Sequence, residues 1–219
     1  QMHPTLFSLD GCVQGVVELL APKAAEKGLE LAWRVAPGLP RGVIGDETRV
    51  RQILLNLVGN AIKFTDSGGV IVRVAGKPCP PAAGEANAHD LELTFTVEDT
   101  GIGIEATQVT SLFGEFERTE EVVRRRLGGT GLGLAISRQL ARAMGGDITV
   151  TSEVGRGSVF TARLVLAGAR PWAMHGPLAR PRTLLALDRP LERALIAETL
   201  AALGIPADVH GTSDALAAL

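Results

Sequence analysis

Gln52-Ile-Leu-Leu-Asn56-Leu-Val-Gly-Asn60-Ala-Ile-Lys63-Phe-Thr65 is the stretch on which the fold turns. Apolar side chains at Val50, Ile53, Leu54, Leu57, Val58, Ala61 and Ile62 step by three and four, which predicts a helix with one buried face. Asp46 can cap its start. Gln52, Asn56, Asn60 and Lys63 are spaced four, four and three, so they form a polar stripe roughly opposite the apolar one. A helix that merely faces water favours Glu, Lys and Arg there. Two asparagines and a lysine in register also suit a ligand: amide oxygens for a hydrated Mg2+ and a cation for phosphate. Taken alone, the helix leaves both readings open.

Working outward, apolar positions from Leu9 to Ala24 predict a helix over residues 9–25, capped by Ser8 or Asp10 and stopped at Gly28. Pro22 should bend or end it early, because proline lacks the amide hydrogen. Alternation predicts a strand over 29–35, and a Pro/Gly-rich loop over 37–45. Beyond the central helix, strands are expected at 70–75 and 91–98, with 77–90 as a long solvated hairpin loop. A short helix is expected at 104–112, a longer one at 132–144, and a hairpin of 147–152 and 158–166 around Gly155-Arg156-Gly157. Residues 167–182 hold three prolines and no periodicity, which marks a linker. Past it, an apolar run at 183–187, an amphipathic helix at 191–203 and a strand at 206–209 read as the start of a βαβ unit.

Composition bounds the function. At ~150 residues per domain, 219 residues predict one complete domain and part of a second. The net charge of −2 excludes a strongly basic nucleic-acid or anionic-membrane binder as the default. An apolar fraction of 46% is enough for a buried core. Cys12 and Cys79 are far apart, so neither a disulfide framework nor a zinc knuckle is expected, and a reducing cytosol fits. No apolar run approaches the ~18 residues of a membrane span. The first residues show no basic-then-apolar signal pattern, and the chain is expected to be a fragment of something longer.

Three further constellations carry chemistry. Asp99-Thr-Gly-Ile-Gly-Ile104 follows a strand; its aspartate can accept from an amino group, and Gly101 and Gly103 let the backbone approach a flat ligand. The same pair of glycines is also compatible with a plain turn. Gly128-Gly-Thr-Gly-Leu-Gly-Leu134 runs into a helix, whose N-terminal amides favour an anion. It is not a Walker A loop, since no Gly-Lys-Ser/Thr follows, and no strand precedes it as a dinucleotide fold requires. Between them lie Phe113 and Phe116, candidate core aromatics, and a polar segment ending in Arg124-Arg125-Arg126. That segment fits a mobile lid whose arginines reach a terminal phosphate, or a solvated charge run balanced by Glu115, Glu117, Glu120 and Glu121.

In this order the motifs resemble the catalytic and ATP-binding domain of sensor histidine kinases, within the class that includes gyrase, Hsp90 and MutL. The N box resembles residues 52–65, the G1 box 99–103, the F box 112–116 and the G2 box 129–133. Gly157-Ser158-Val159-Phe160 resembles the closing hairpin. The resemblance covers roughly residues 7–166 and implies an α/β (α+β) two-layer sandwich: a mixed, mostly antiparallel sheet of about five strands on about three helices.

It further implies the cofactors ATP and Mg2+. Asn60 takes the metal, Asn56 sits by the phosphates and Lys63 contacts them. Asp99 accepts from the adenine amino group, with Gly101 and Gly103 letting the backbone close in. Gly129, Thr130, Gly131, Leu132 and Gly133 wrap the phosphates, and Arg125 reaches the γ-phosphate. Members that hydrolyse ATP with water carry a glutamate four residues before the metal asparagine. Here that position is Asn56, which cannot act as a general base at neutral pH. The expected activity is therefore a protein-histidine kinase, its catalytic residues being Asn56, Lys63 and Arg125. A module that senses nucleotide to control assembly is the alternative.

The expected partners are an upstream dimerisation domain bearing the acceptor histidine, a receiver domain or response regulator, and a second copy in a homodimer. Direct nucleic-acid or membrane contact is not expected. His3, His89, His175 and His210 sit in no acceptor-like helix, which places the acceptor before Gln1. The expected organisation is 1–167 catalytic domain, 168–182 linker and 183–219 a truncated receiver-like domain. Receivers carry two adjacent acidic residues after their first strand. Here Leu187-Asp188-Arg189 keeps one and adds a cation, so degeneracy is expected, for docking, autoinhibition or ligand binding.

Overall fold

The computed structural model describes residues 2–40, 42–79, 90–109, 112–113, 132–168, 183–186, 189–205 and 207–210. Its main sheet runs in the order β1 (Thr5–Ser8), β3 (Gly42–Gly45), β7 (Gly157–Gly168), β5 (Asp90–Asp99), β4 (Gly69–Pro78), β2 (Glu30–Val35), and β6 (Asp147–Glu153) also pairs with β7. All pairings are antiparallel except β2 with β4. The sheet is mixed and mostly antiparallel, as expected, but has seven strands. The two extra strands, β1 and β3, are four residues each. The expected loop at 37–45 is corrected in its last four residues, where Val43 is fully buried and β3 bridges β1 to the end of β7.

Helices α1 (Leu9–Glu26), α2 (Glu47–Phe64) and α4 (Leu132–Ala143) contribute to the core on one face of the sheet. A short helix, α3, spans Ala106–Val109. The buried row of α2 is the one its spacing demands: Val50, Ile53, Leu54, Leu57, Val58, Ala61 and Ile62. Asp46 caps it, accepting from Arg49 N–H at 3.1 Å through Oδ1 and from His3 N–H at 3.0 Å through Oδ2. Those two amides stabilise the carboxylate and hold its pKa below the ordinary value, the His3 amide contributing most.

Helix α1 runs to Glu26, close to the expected range of 9–25, so of the two expectations for Pro22 the early end is corrected. Pro22 sits on the exposed side of the helix, where water can take the carbonyl left without a donor, while Leu20 and Ala24 stay buried around it. The helix ends where Gly28 adopts φ +67°, with Gly28 N–H bonding Ala25 O and Leu29 N–H bonding Ala24 O, both at 2.9 Å.

Strand β5 shows how packing positions chemistry. Leu91, Leu93, Phe95 and Val97 are buried on alternate residues, so Asp99, next in that row, is turned inward too. The remaining elements are β8 (Thr183–Ala186), α5 (Pro190–Ala202) and β9 (Ala207–His210); β8 and β9 are parallel, completing a βαβ unit. Helix α5 lies on the sheet face away from the main helices: Leu195 packs with Ala32 of β2 and Ile71 of β4.

Candidate nucleotide site

Three pieces of chain converge beside Asp99: the end of α2, the loop after β5 and the turn before β7. Asp99 is 6% exposed. Its Oδ1 accepts from Gly101 N–H at 2.9 Å and Ser158 N–H at 3.2 Å. Burial raises its pKa above the ordinary value, while the two amides oppose that rise and the nearby Glu98 charge adds to it. With Oδ1 doubly committed, Oδ2 has no partner among the described residues. A buried carboxylate oxygen in that condition suits an amino group on a flat heterocycle.

The loop leaves no room for side chains where the ligand edge would pass. A Cβ on Gly101 would lie 2.4 Å from Phe64 O, and one on Gly103 would lie 2.1 Å from Glu153 O; Gly103 also has φ +71°. Ile102 is pinned on both sides, its N–H to Phe64 O at 3.2 Å and its carbonyl to Gly155 N–H at 2.8 Å. Ser152 Oγ accepts from Ile104 N–H at 2.8 Å and donates to Gly157 O at 2.9 Å. The loop after β5 is therefore clamped between the C-terminal end of α2 and the β6–β7 hairpin.

Along α2 the polar stripe is half-buried at Asn56 and Asn60 and exposed at Gln52 and Lys63. Asn56 Nδ2 donates to Ser137 Oγ on α4 at 2.9 Å, and Asn60 Nδ2 reaches Asn56 Oδ1 at 3.4 Å. Asn60 thus uses its amide nitrogen and keeps its carbonyl oxygen, the atom a hard cation takes. Gly133 lies against Asn56; a Cβ there would stand 2.4 Å from Asn56 Oδ1. Lys63 Nζ sits 4.9 Å from the centre of the Phe64 ring. At the far end, Lys27 Nζ donates to the carbonyls of Ile62, Lys63 and Thr65 at 2.8–3.0 Å, closing the open end of the helix.

The structure thus brings Asn56, Asn60, Lys63, Asp99, Gly101, Gly103 and Gly133 onto adjoining elements. Leu132 opens α4. Arg125, Gly129, Thr130 and Gly131 lie outside the described residues, as does Phe116. Phe113 is described and stacks on the Arg138 guanidinium, 4.7 Å from ring centre, while Arg138 grips both oxygens of Asp147 at 2.7 and 3.0 Å. Sequence reading assigned no part to Ser137, Ser152, Thr100 or Lys27. Ser137 alone left a trace, a small polar residue among apolar neighbours of an amphipathic helix.

The fold and this cleft define a nucleotide-binding ATPase-type domain. The chain belongs to the family described as histidine kinase-, DNA gyrase B- and HSP90-like ATPases, which matches residues 45–168. It is 36% identical over 213 residues to sensor histidine kinase GacS of Pseudomonas protegens, covering 96% of this chain and 22% of that protein. It is 40% identical over 154 residues to BarA, a signal transduction histidine-protein kinase of Escherichia coli K12, covering 70% and 16%. The chain therefore spans about a fifth of these relatives' length. Among solved structures, full-length ShkA in complex with AMPPNP superposes with a TM-score of 0.77 at 33% identity, covering 99% of this chain and 43% of that one. No described helix is long and apolar enough to cross a membrane.

Proposed function

We propose that this chain is the catalytic, ATP-binding part of a hybrid sensor histidine kinase. It holds Mg-ATP and passes the γ-phosphoryl group to a histidine on a separate helical dimerisation domain. The observation that carries this is the pair Asn56–Asn60. The position where a water-activating glutamate would stand is an amide already bonded to Ser137. It can orient neighbours but cannot take a proton from water.

Asp99 reads the adenine amino group through Oδ2, and the 101–103 backbone lies along the base. Asn60 would hold Mg2+ through its amide oxygen, and the ion would supply charge neutralisation to the phosphates. Lys63 and Asn56 orient the phosphates, with residues 129–133 and Arg125 completing the cradle. The bond between the γ-phosphorus and the β–γ bridging oxygen breaks as an imidazole nitrogen bonds to phosphorus, and ADP leaves. Catalysis is positioning and charge stabilisation. The organisation we propose is a catalytic domain to residue 167, a linker to 182, and a receiver-like unit beyond. Its reduced acidic set at Asp188 favours docking over phosphoryl acceptance. A cytoplasmic setting, a homodimer and a receiver or response regulator as downstream partner follow from the same reading.

The test is two-part. Calorimetry with AMPPNP and Mg2+ should show binding to this chain, and the chain should release phosphate from ATP only slowly. The chain joined to its preceding helical segment should then form acid-labile, base-stable phosphohistidine from γ-labelled ATP. Binding without phosphohistidine supports the nucleotide-sensing alternative. Rapid phosphate release by the chain alone overturns the kinase reading.

A further inference from the structure

The βαβ unit is not merely appended to the sheet. Its helix α5 presents Leu191, Leu195 and Glu198 at intervals of four and three, one face of a helix. Leu195 is 4% exposed against Ala32 and Ile71. Glu198 meets Arg34 at 3.1 Å and Arg73 at 3.3 Å, and Arg73 also pairs with Glu98. The N-cap residue Arg189 makes no side-chain cap, and the amide of Glu192 donates instead to Glu30 Oε1 of β2 at 2.7 Å. The sheet therefore supplies an apolar seat, two cations for one carboxylate, and the missing cap for the helix start.

The same seat backs onto the adenine loop. Leu191 packs so tightly on Gly69 that a Cβ there would stand 2.5 Å from Leu191 Cδ1. Gly69 in turn exchanges two hydrogen bonds with Thr100: Gly69 N–H to Thr100 Oγ1 at 3.0 Å and Thr100 N–H to Gly69 O at 3.2 Å. Thr100 also donates to Ser67 O at 2.9 Å, and it stands between Asp99 and Gly101. A continuous line of contacts, Leu191–Gly69–Thr100–Asp99, runs from the C-terminal unit to the carboxylate that would read the base.

We propose that the face formed by Glu30, Ala32, Arg34, Ile71 and Arg73 is a regulatory docking surface for the chain's own C-terminal βαβ unit. The seated helix holds Gly69 and Thr100 where Asp99 is correctly aimed, so docking raises nucleotide affinity. By linkage, nucleotide strengthens docking by the same factor. This regulation rests on the reading of the Asp99 cleft as an adenine site.

The experiment compares the chain with its Leu195→Asp/Glu198→Arg double variant, which puts charge into the apolar seat and a third cation beside Arg34 and Arg73. AMPPNP affinity with Mg2+ is read by calorimetry, and helix and sheet protection by amide hydrogen exchange. The expected result is free exchange in α5, unchanged protection of β5 and β7, and a Kd raised at least fivefold. In the parent chain, saturating AMPPNP should slow α5 exchange. An unchanged Kd with α5 released overturns the coupling. An α5 that stays protected in the double variant, or a sheet that loses protection along with it, overturns the docking surface as drawn. A parent chain that binds no AMPPNP overturns the adenine site itself, a failure distinct from the other two.

Discussion

Asp99 and Ser158 face one another directly across β5 and β7, and the backbone amide of Ser158 donates to Asp99 Oδ1 at 3.2 Å. The carboxylate is thus aimed by a strand distant in sequence rather than by its own loop alone. Asp99→Asn puts an amide where two N–H donors and the base each require an acceptor. AMPPNP affinity should fall at least tenfold, with circular dichroism unchanged. Because burial raises the Asp99 pKa, affinity should decline on acidification from a higher pH than an ordinary aspartate near ~3.9 would give. Calorimetry across pH 4–8 checks the direction.

The Asn56–Ser137 bond joins α2 to α4 at the end of the cleft where we propose the phosphates lie. Ser137 is 2% exposed, and Ser137→Ala takes the partner from the half-buried Asn56 amide. That should cost about 0.5–1.5 kcal/mol in urea denaturation. Mg2+ affinity in the nucleotide complex should weaken with it, since Asn60 is oriented through Asn56.

Gly101→Ala drives a methyl group into Phe64 O, a backbone atom that cannot step aside. The variant should bind AMPPNP at least tenfold more weakly. Gly59→Ala, in open space on the same helix end, should bind as the parent does.

The Arg138 clasp holds the Asp147 carboxyl far below the usual carboxylate range, the Arg138 hydrogen bonds contributing most. A depressed folded-state pKa means that the stabilisation is present above the unfolded value near ~3.9 and is lost as pH falls below it. Asp147→Asn should therefore cost about 1.5–3 kcal/mol at pH 7, a cost that shrinks as pH falls from ~3.9 towards the depressed folded-state value. Thermal melts of both proteins over that range measure the convergence.

What was legible in the sequence was what is decided locally. The buried row and cap of α2 depend on residues within one helix, and all of them fall where spacing puts them. The inward turn of Asp99 follows from strand parity alone. Strands β1 and β3 were not legible: four residues carry no usable period, and they become strands only by pairing with each other and with the end of β7. Pro22 was over-read, because a proline rule ignores which side of the helix faces water. The partners of Asn56 and Asp99 stand 81 and 59 residues away, beyond any local pattern, and the weak trace of Ser137 and the place of Ser158 in the closing-hairpin motif did not say which side chains they position.

The clasp of Asp46 on the His3 amide has a mechanical side. Helix α2 is 18 residues long, a rod of ~27 Å. Its near end is fastened to the N-terminal segment, and its far end is fastened by Lys27 and bears the loop beside Asp99. A displacement of the N-terminal segment would therefore reach the loop beside Asp99 through a stiff rod rather than through slack chain.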